Sequence, residues 1–344
     1  MRGLIFLLLT LVIITGCHKQ ATIITPIDSP VLPARGFFMG ILPTPAENQS
    51  FSDAYTQAAD YCEFAPVWGK PTPFYSLADD LNGDWGKTFV QDYIRGNGMF
   101  PLIQVSFIGT GVTLVTPPEM EGATLSNLEW RKTYKQAIID IVKASKPLYL
   151  SIGNEVNRWY EKYGSEETNP NGFQHYLSLY EEIYDTIKKI APETKVFCTF
   201  AREIVAENRE ADLNVLSMFN KEKLDLLIFT SYPYAVSNIN RPSDIPDDYY
   251  LEAGQNFLDK PFGFSELGWP ARPEFGGEQG QADFITEVAG RLTKGQGMNL
   301  KLMGWAWLHD LAEDDYLGLI KRDGTEKLAY QTWKELSGSG AQNH

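Results

Sequence analysis

Leu148-Tyr149-Leu150-Ser151-Ile152-Gly153-Asn154-Glu155 is an apolar run that ends in a carboxylate, and Pro261-Phe262-Gly263-Phe264-Ser265-Glu266-Leu267-Gly268-Trp269 is a second. Each reads as a strand buried on both faces and leaving its sheet at a Gly or polar residue. A Glu at the end of such a strand is costly unless it is ion-paired, hydrogen-bonded or used. Six further apolar runs flanked by breakers accompany them: Gly36–Leu42, Tyr61–Trp68, Met99–Phe107, Lys195–Ala201, Leu224–Tyr232 and Lys301–Leu308. That makes eight strands, with Glu155 ending the fourth and Glu266 the seventh.

Helical spacing fills the gaps. Trp130–Lys143 repeats apolar residues at Tyr134, Ala137, Ile138 and Ile141, and Phe173–Ile190 does so from Tyr176 to Ile187. Gln281–Leu292 and Val205–Phe219 are expected to behave alike. Strand and helix alternating eight times predict a single-domain α/β fold, a (β/α)8 TIM barrel spanning residues 36–336. A doubly wound open sheet is the other architecture, but Gly40-Ile41-Leu42-Pro43 after the first strand is no phosphate-binding loop. Long loops are expected at Trp68–Trp85, Gly109–Leu125 and Ser237–Tyr250. They follow strands two, three and six and so lie on the face where barrel enzymes build their sites.

An Asn-Glu ending strand four and a Glu ending strand seven, three βα units of about 37 residues apart, resemble the retaining glycoside hydrolases of clan A, the 4/7 barrel superfamily. Glu266-Leu267-Gly268-Trp269-Pro270 is similar to the nucleophile segment of β-1,3-glucanase families in that clan. Gly153-Asn154-Glu155-Val156 also resembles their acid/base segment and that of endo-β-1,4-galactanases. The resemblance implies that Glu155 is the general acid/base and Glu266 the nucleophile of a double displacement. Retention needs the two carboxyl groups roughly 5–5.5 Å apart. It also needs the acid to hold its proton, through burial and its negative neighbour, while donors keep the nucleophile ionised. The implied substrate is a neutral β-linked polysaccharide or oligosaccharide, with β-1,3-glucan the first expectation. Transglycosylation, and a non-catalytic glycan-binding barrel, are the alternatives. The chain has no Arg in Tyr61–Trp68 and no His on strands three or six, where many members of the clan carry them. The sugar therefore stays open.

Around the pair, Asn154 is expected to hydrogen-bond a sugar 2-hydroxyl; a local turn contact is its other reading. Tyr232 matches the clan's Tyr that donates to the nucleophile, with Tyr234 as rival. Trp305 matches its sugar platform, with Trp307 sharing the same strand parity. Trp68 and Trp269 would stack outer sugars or pack in the core. Arg202 would orient a carboxylate or a hydroxyl, or sit in an ion pair. Glu63 reads as a paired carboxylate, Gln104 and Ser106 as pocket-facing, and His309 as structural.

The net charge of −14 argues against nucleic acid as partner. No His/Cys cluster suggests a metal, no Gly-Lys-Ser/Thr loop suggests phosphoryl transfer, and no Gly-x-Ser-x-Gly elbow suggests an esterase. Thus neither cofactor nor metal is expected, and no obligate protein partner is evident. Arg2 followed by apolar Leu4–Ile14 reads as a signal peptide, residues 1–17. Its end, Ile14-Thr15-Gly16-Cys17, resembles a bacterial lipobox. That resemblance implies cleavage before Cys17, lipid on Cys17 and an exported chain anchored to the cell envelope. Residues 18–35, with Pro26, Pro30 and Pro33, read as a tether holding the domain off a membrane, and 337–344 as a polar tail. Cys62 and Cys198 are expected to be buried free thiols.

Overall fold

In the computed structural model, residues 23–68 and 73–338 are described. The proposed signal peptide and Cys17 lie outside them, as does most of the polar tail. Eight parallel strands form the barrel: β1 Phe38–Ile41, β2 Phe64–Val67, β3 Phe100–Gln104, β4 Tyr149–Ser151, β5, β6 Leu227–Ser231, β7 Phe262–Leu267 and β8 Leu300–Trp305. β5 runs in two stretches, Lys195–Phe197 and Thr199–Ala201, broken at Cys198. Its first stretch pairs with β4 and its second with β6. β1 pairs with β8, so the sheet closes on itself. The predicted barrel is the observed one.

Among the described residues, eight α-helices flank it: α1 Phe51–Ala59, α2 Phe74–Asn82, α3 Leu128–Ser145, α4 Val156–Tyr163, α5 Phe173–Ile190, α6 Tyr249–Gly254, α7 Gly277–Ala289 and α8 Leu328–Gly338. α5 has the expected bounds, and its stripe from Tyr176 to Ile187 is buried against the barrel. α3 starts where the Asn127 side chain accepts from the Trp130 N–H at 3.0 Å, satisfying one free donor of the first turn. The segment Val205–Phe219 is not the expected helix. Asn208 takes a left-handed φ of 52°, and Glu203–Ile204 folds back to pair with Arg209–Glu210. Two short 3-10 turns supply what helical character remains. Glu161 on α4 pins this excursion through Arg209 and the Asp212 N–H, an anchor that lies 48 residues or more away in sequence.

Aromatic rings plug the N-terminal end of the barrel. Phe100 stacks on Phe64 and Tyr149, with ring centroids 5.7 and 5.5 Å away, and meets the edge of Phe38 at 5.2 Å. Each such ring stabilises the fold by about 1.5–3 kcal/mol on burial. Gly40 makes room for them, since a Cβ there would lie 2.3 Å from the Phe64 ring. These contacts fix which strand positions point inward: Phe38, Phe64, Phe100, Tyr149 and their alternates.

Residues 23–35 are not a free tether. The Ile24 N–H donates to the Ile190 carbonyl at 2.6 Å and the Ile27 N–H to the Lys146 carbonyl at 3.1 Å. Asp28 takes two bonds from Arg95, at 2.9 and 2.8 Å. Arg35 pairs with Glu63, which also accepts from the Met39 N–H. Backbone bonds and buried ion pairs strap the segment across the floor of the barrel, and Glu63 has the partner expected of it. Cys62 and Cys198 are buried free thiols, as expected.

Candidate active site

Glu266 reaches the barrel interior because β7 carries a bulge. Phe229 is opposite Phe264, but the next residue of β6, Thr230, is opposite Glu266, leaving Ser265 as the extra residue. Phe264 faces outward, its ring 4.8 Å from that of Tyr250. Simple alternation would then turn Glu266 outward too; the inserted Ser265 reverses the parity and turns it in. Gly304 of β8 permits the crowding, since a Cβ would sit 2.4 Å from the Ser265 carbonyl.

Glu155 arrives differently. β4 ends at Ser151, earlier than expected, and Glu155 sits on the turn into α4 with a left-handed φ of 50°. A non-Gly residue there costs about 1–2 kcal/mol. Thr199 of β5 holds the turn: its hydroxyl accepts from the Glu155 N–H at 2.9 Å and donates to Asn154 Oδ1 at 2.7 Å. Backbone strain maintained by a dedicated hydroxyl concentrates at functional sites.

The two carboxyl groups meet different neighbours. Glu155 accepts from Thr230 Oγ1 at 2.8 Å and from Arg158 Nη1 at 2.7 Å. Glu266 accepts from the Tyr232 phenol at 2.8 Å. Burial pushes the Glu266 carboxyl up to about 7, the Glu155 charge adds to that, and the Tyr232 hydrogen bond opposes both. Donors were expected to gather at Glu266 and burial at Glu155. Instead the cation stands beside Glu155, and burial dominates at Glu266.

Behind Tyr232 lies a third carboxyl. Glu203, 4% exposed, accepts from the Tyr232 N–H at 2.6 Å, Tyr249 Oη at 2.8 Å and Ser231 Oγ at 3.0 Å. Burial raises it to about 7, against the Arg202 charge and those three donors. Gln104, at the mouth end of β3, is buried, and neither of its amide atoms has a hydrogen-bond partner among the described residues. Ser106 instead closes a local turn with Ile108.

Several predicted site residues lie elsewhere. Trp305 is 1% exposed; its indole donates to the Leu317 carbonyl and its ring packs on Phe284 and Trp333 of the helix layer. Its parity is outward, because Leu302 and Gly304 are the positions in register with Phe38 and Gly40. Trp307, beyond the end of β8, is half-buried and donates to Asp315 at 2.7 Å. Trp269 is fully buried, stacked on Phe284 at 5.1 Å. Arg202 also points to the helix layer: it lies 3.8 Å from the Tyr249 ring centroid and pairs with Glu210 at 2.6 Å. Trp305, Trp269 and Arg202 are thus packed in the helix layer, away from the barrel mouth. Trp68 sits half-buried just past β2, with the inward parity of Phe64 and Pro66. Tyr232, not Tyr234, bonds Glu266; Tyr234 packs on Phe275. His309 is buried, bonded to Thr44.

Thr199, Thr230, Arg158 and Glu203 were not singled out from the sequence. A hydroxyl inside an apolar strand was the available signal for the two threonines. Arg158, three residues past Glu155 on a helix, carried the spacing of an ion pair. Among the described residues, no group of three or more His, Cys, Asp or Glu is placed to hold a metal ion.

No protein-family model matches the chain, and no curated protein matches it. Solved structures do share its fold. A GH5_18 protein from Streptomyces cattleya, in complex with GlcNAc, superposes with a TM-score of 0.61 at 13% identity, over 90% of this chain and 82% of that one. A family 39 glycoside hydrolase from Bacteroides cellulosilyticus WH2 gives 0.60 at 16%, over 91% and 66%. A β-glucuronidase from Bifidobacterium dentium, complexed with coumarin-3-O-glucuronide, gives 0.56 at 12%, over 88% and 46%. In architecture, then, the chain is a single-domain barrel of the kind these glycoside hydrolases are built on.

Proposed function

We propose that the protein is a retaining β-glycosidase in which Glu266 is the nucleophile and Glu155 the acid/base. The observation that carries this is the pair itself. Two carboxyl groups from β7 and the β4 turn converge in the barrel mouth, where a phenol bonds Glu266 and the Glu155 charge acts on it. Glu266 attacks the anomeric carbon as the bond to the leaving oxygen breaks, and Glu155 gives that oxygen its proton. Glu155 then takes a proton from water, whose oxygen displaces the Glu266 carboxylate. The free protein carries a cation at Glu155. Arg158 is 39% exposed, so a sugar in the cleft can displace it and leave Glu155 to hold the proton. Asn154, oriented by Thr199, and Trp68 are the proposed sugar contacts.

β-1,3-Glucan remains the first proposed substrate, on the Glu266–Pro270 run. The test is a panel of β-1,3-glucan, mixed-linkage glucan, mannan, galactan and xylan, with aryl β-mannoside and β-glucuronide added because related folds carry such ligands. Products from one substrate, with retained anomeric configuration by NMR and none from Glu266→Gln, are expected. Inverted product, or turnover by Glu266→Gln, refutes the assignment. Longer products than the substrate supplied would favour transglycosylation. Binding without turnover would favour a glycan-binding barrel.

A further inference from the structure

The N-terminal strap changes what an anchor at Cys17 would do. Residues 18–35 as a free tether would span about 60 Å extended. With bonding to the barrel floor beginning at Ile24, six residues, 18–23, separate it from Cys17, about 25 Å at most. The floor itself is unusual. Ile23 is 55%, Ile27 53%, Val31 84% and Leu32 41% exposed, all within ten residues of the strap. The strap is bonded to the turns leading into β4 and β5. Those turns, residues 143–148 and 188–195, hold five lysines against one carboxylate, Glu193, in a chain of net charge −14. Lys143 and Lys188 are paired with Asp140 and Asp225. Lys146, Lys189 and Lys195 stand exposed.

We propose that this floor docks on an anionic lipid bilayer, with the apolar side chains of the strap in the interface and the lysines over the headgroups. Apolar residues ringed by lysine are what such a surface attracts. The charge sign, the exposed apolar strap and the short chain length between a lipobox-like Cys17 and Ile24 all favour a lipid surface as the occupant. The catalytic mouth is at the opposite end of the strands. Docking therefore turns it away from the membrane, towards a polymer outside it.

The hydrophobic core is built from residues 24–336, so a chain starting at His18 keeps all of it and carries no lipid. That makes the test independent of whether Cys17 is modified. The chain is sedimented with vesicles of phosphatidylcholine alone or with phosphatidylglycerol. Binding is expected to the mixed vesicles, to weaken with salt, and to fall about fivefold per lysine removed. The triple variant Lys146→Gln, Lys189→Gln, Lys195→Gln should thus lose about a hundredfold. The variant Val31→Ser with Leu32→Ser should also bind less. Glycosidase turnover in solution should be unchanged in both. On the unmutated chain, hydrogen exchange should slow at 23–32, 143–148 and 188–195 when vesicles are added. No binding to the anionic vesicles, binding that ignores these substitutions, or protection at the mouth loops instead would overturn the proposal.

Discussion

Replacing Tyr232 by Phe removes one hydroxyl and the hydrogen bond it donates to Glu266 at 2.8 Å. A bond to a charged acceptor is worth about 1.5–3 kcal/mol, and one pKa unit is about 1.4 kcal/mol. The phenol holds Glu266 down, against burial and the Glu155 charge, at about 7. Its loss should raise that carboxyl by about one to two units. The nucleophile must be ionised, so the acid limb of kcat/KM moves up, from near 7 to about 8–9. At pH 6 the ionised fraction, and with it kcat/KM, should fall about 10–100-fold. The gap should narrow as the pH rises. The assay is a pH profile of kcat/KM on whichever aryl β-glycoside is turned over, beside a carbon-13 titration of the Glu266 carboxyl, which needs no substrate. An acid limb that stays put, or moves down, would refute the argument that Tyr232 favours the charged form.

Three further outcomes follow from the same geometry. Glu155→Ala should lose turnover on poor leaving groups by about 10²–10⁴-fold while largely sparing activated aryl glycosides, because protonating the leaving oxygen matters less when departure is easy; equal loss on both would remove Glu155 from the acid role. Trp305→Ala should destabilise the fold by about 3–5 kcal/mol by chemical denaturation and leave KM of the folded fraction unchanged; a selective rise in KM would restore its sugar-contact role. Glu203, raised to about 7 by burial, favours folding below its ordinary range near 4.5, and that contribution is lost as pH rises through 7. Between pH 4 and pH 8 the wild type should thus lose about 3 kcal/mol that Glu203→Gln does not, read from urea midpoints at both pH values.

Several details depended on partners distant in sequence or on register. Alternation places Glu266 on the outer face, and only the register of β7 against β6 and β8 inserts Ser265 and turns it in. Thr230 reaches Glu155 from β6, 75 residues away, whereas Arg158 is three residues on and within local reach. Trp305 matches the clan's sugar platform in sequence, and Trp269 could stack a sugar or pack in the core; both pack in the helix layer. A strand of a parallel barrel is buried on both faces, so its apolar run does not reveal which parity is inside. Val205–Phe219 has helical spacing, but Glu161 and the Glu203–Arg209 ladder hold it in another form.

Local chemistry carried the rest. Eight apolar runs with breakers between them are a one-dimensional signal, since each strand must be apolar throughout and each helix apolar on one stripe. Closing the barrel in strand order follows from that alternation. The sequence by itself therefore determined the barrel, the order of its strands and the two carboxylates near the mouth. Tertiary structure alone decided which face each side chain takes, that Thr230 reaches Glu155, and that residues 24–35 strap the floor. Those depend on register, on one inserted residue and on pairs far apart in the chain, and none of these leaves a local pattern to read.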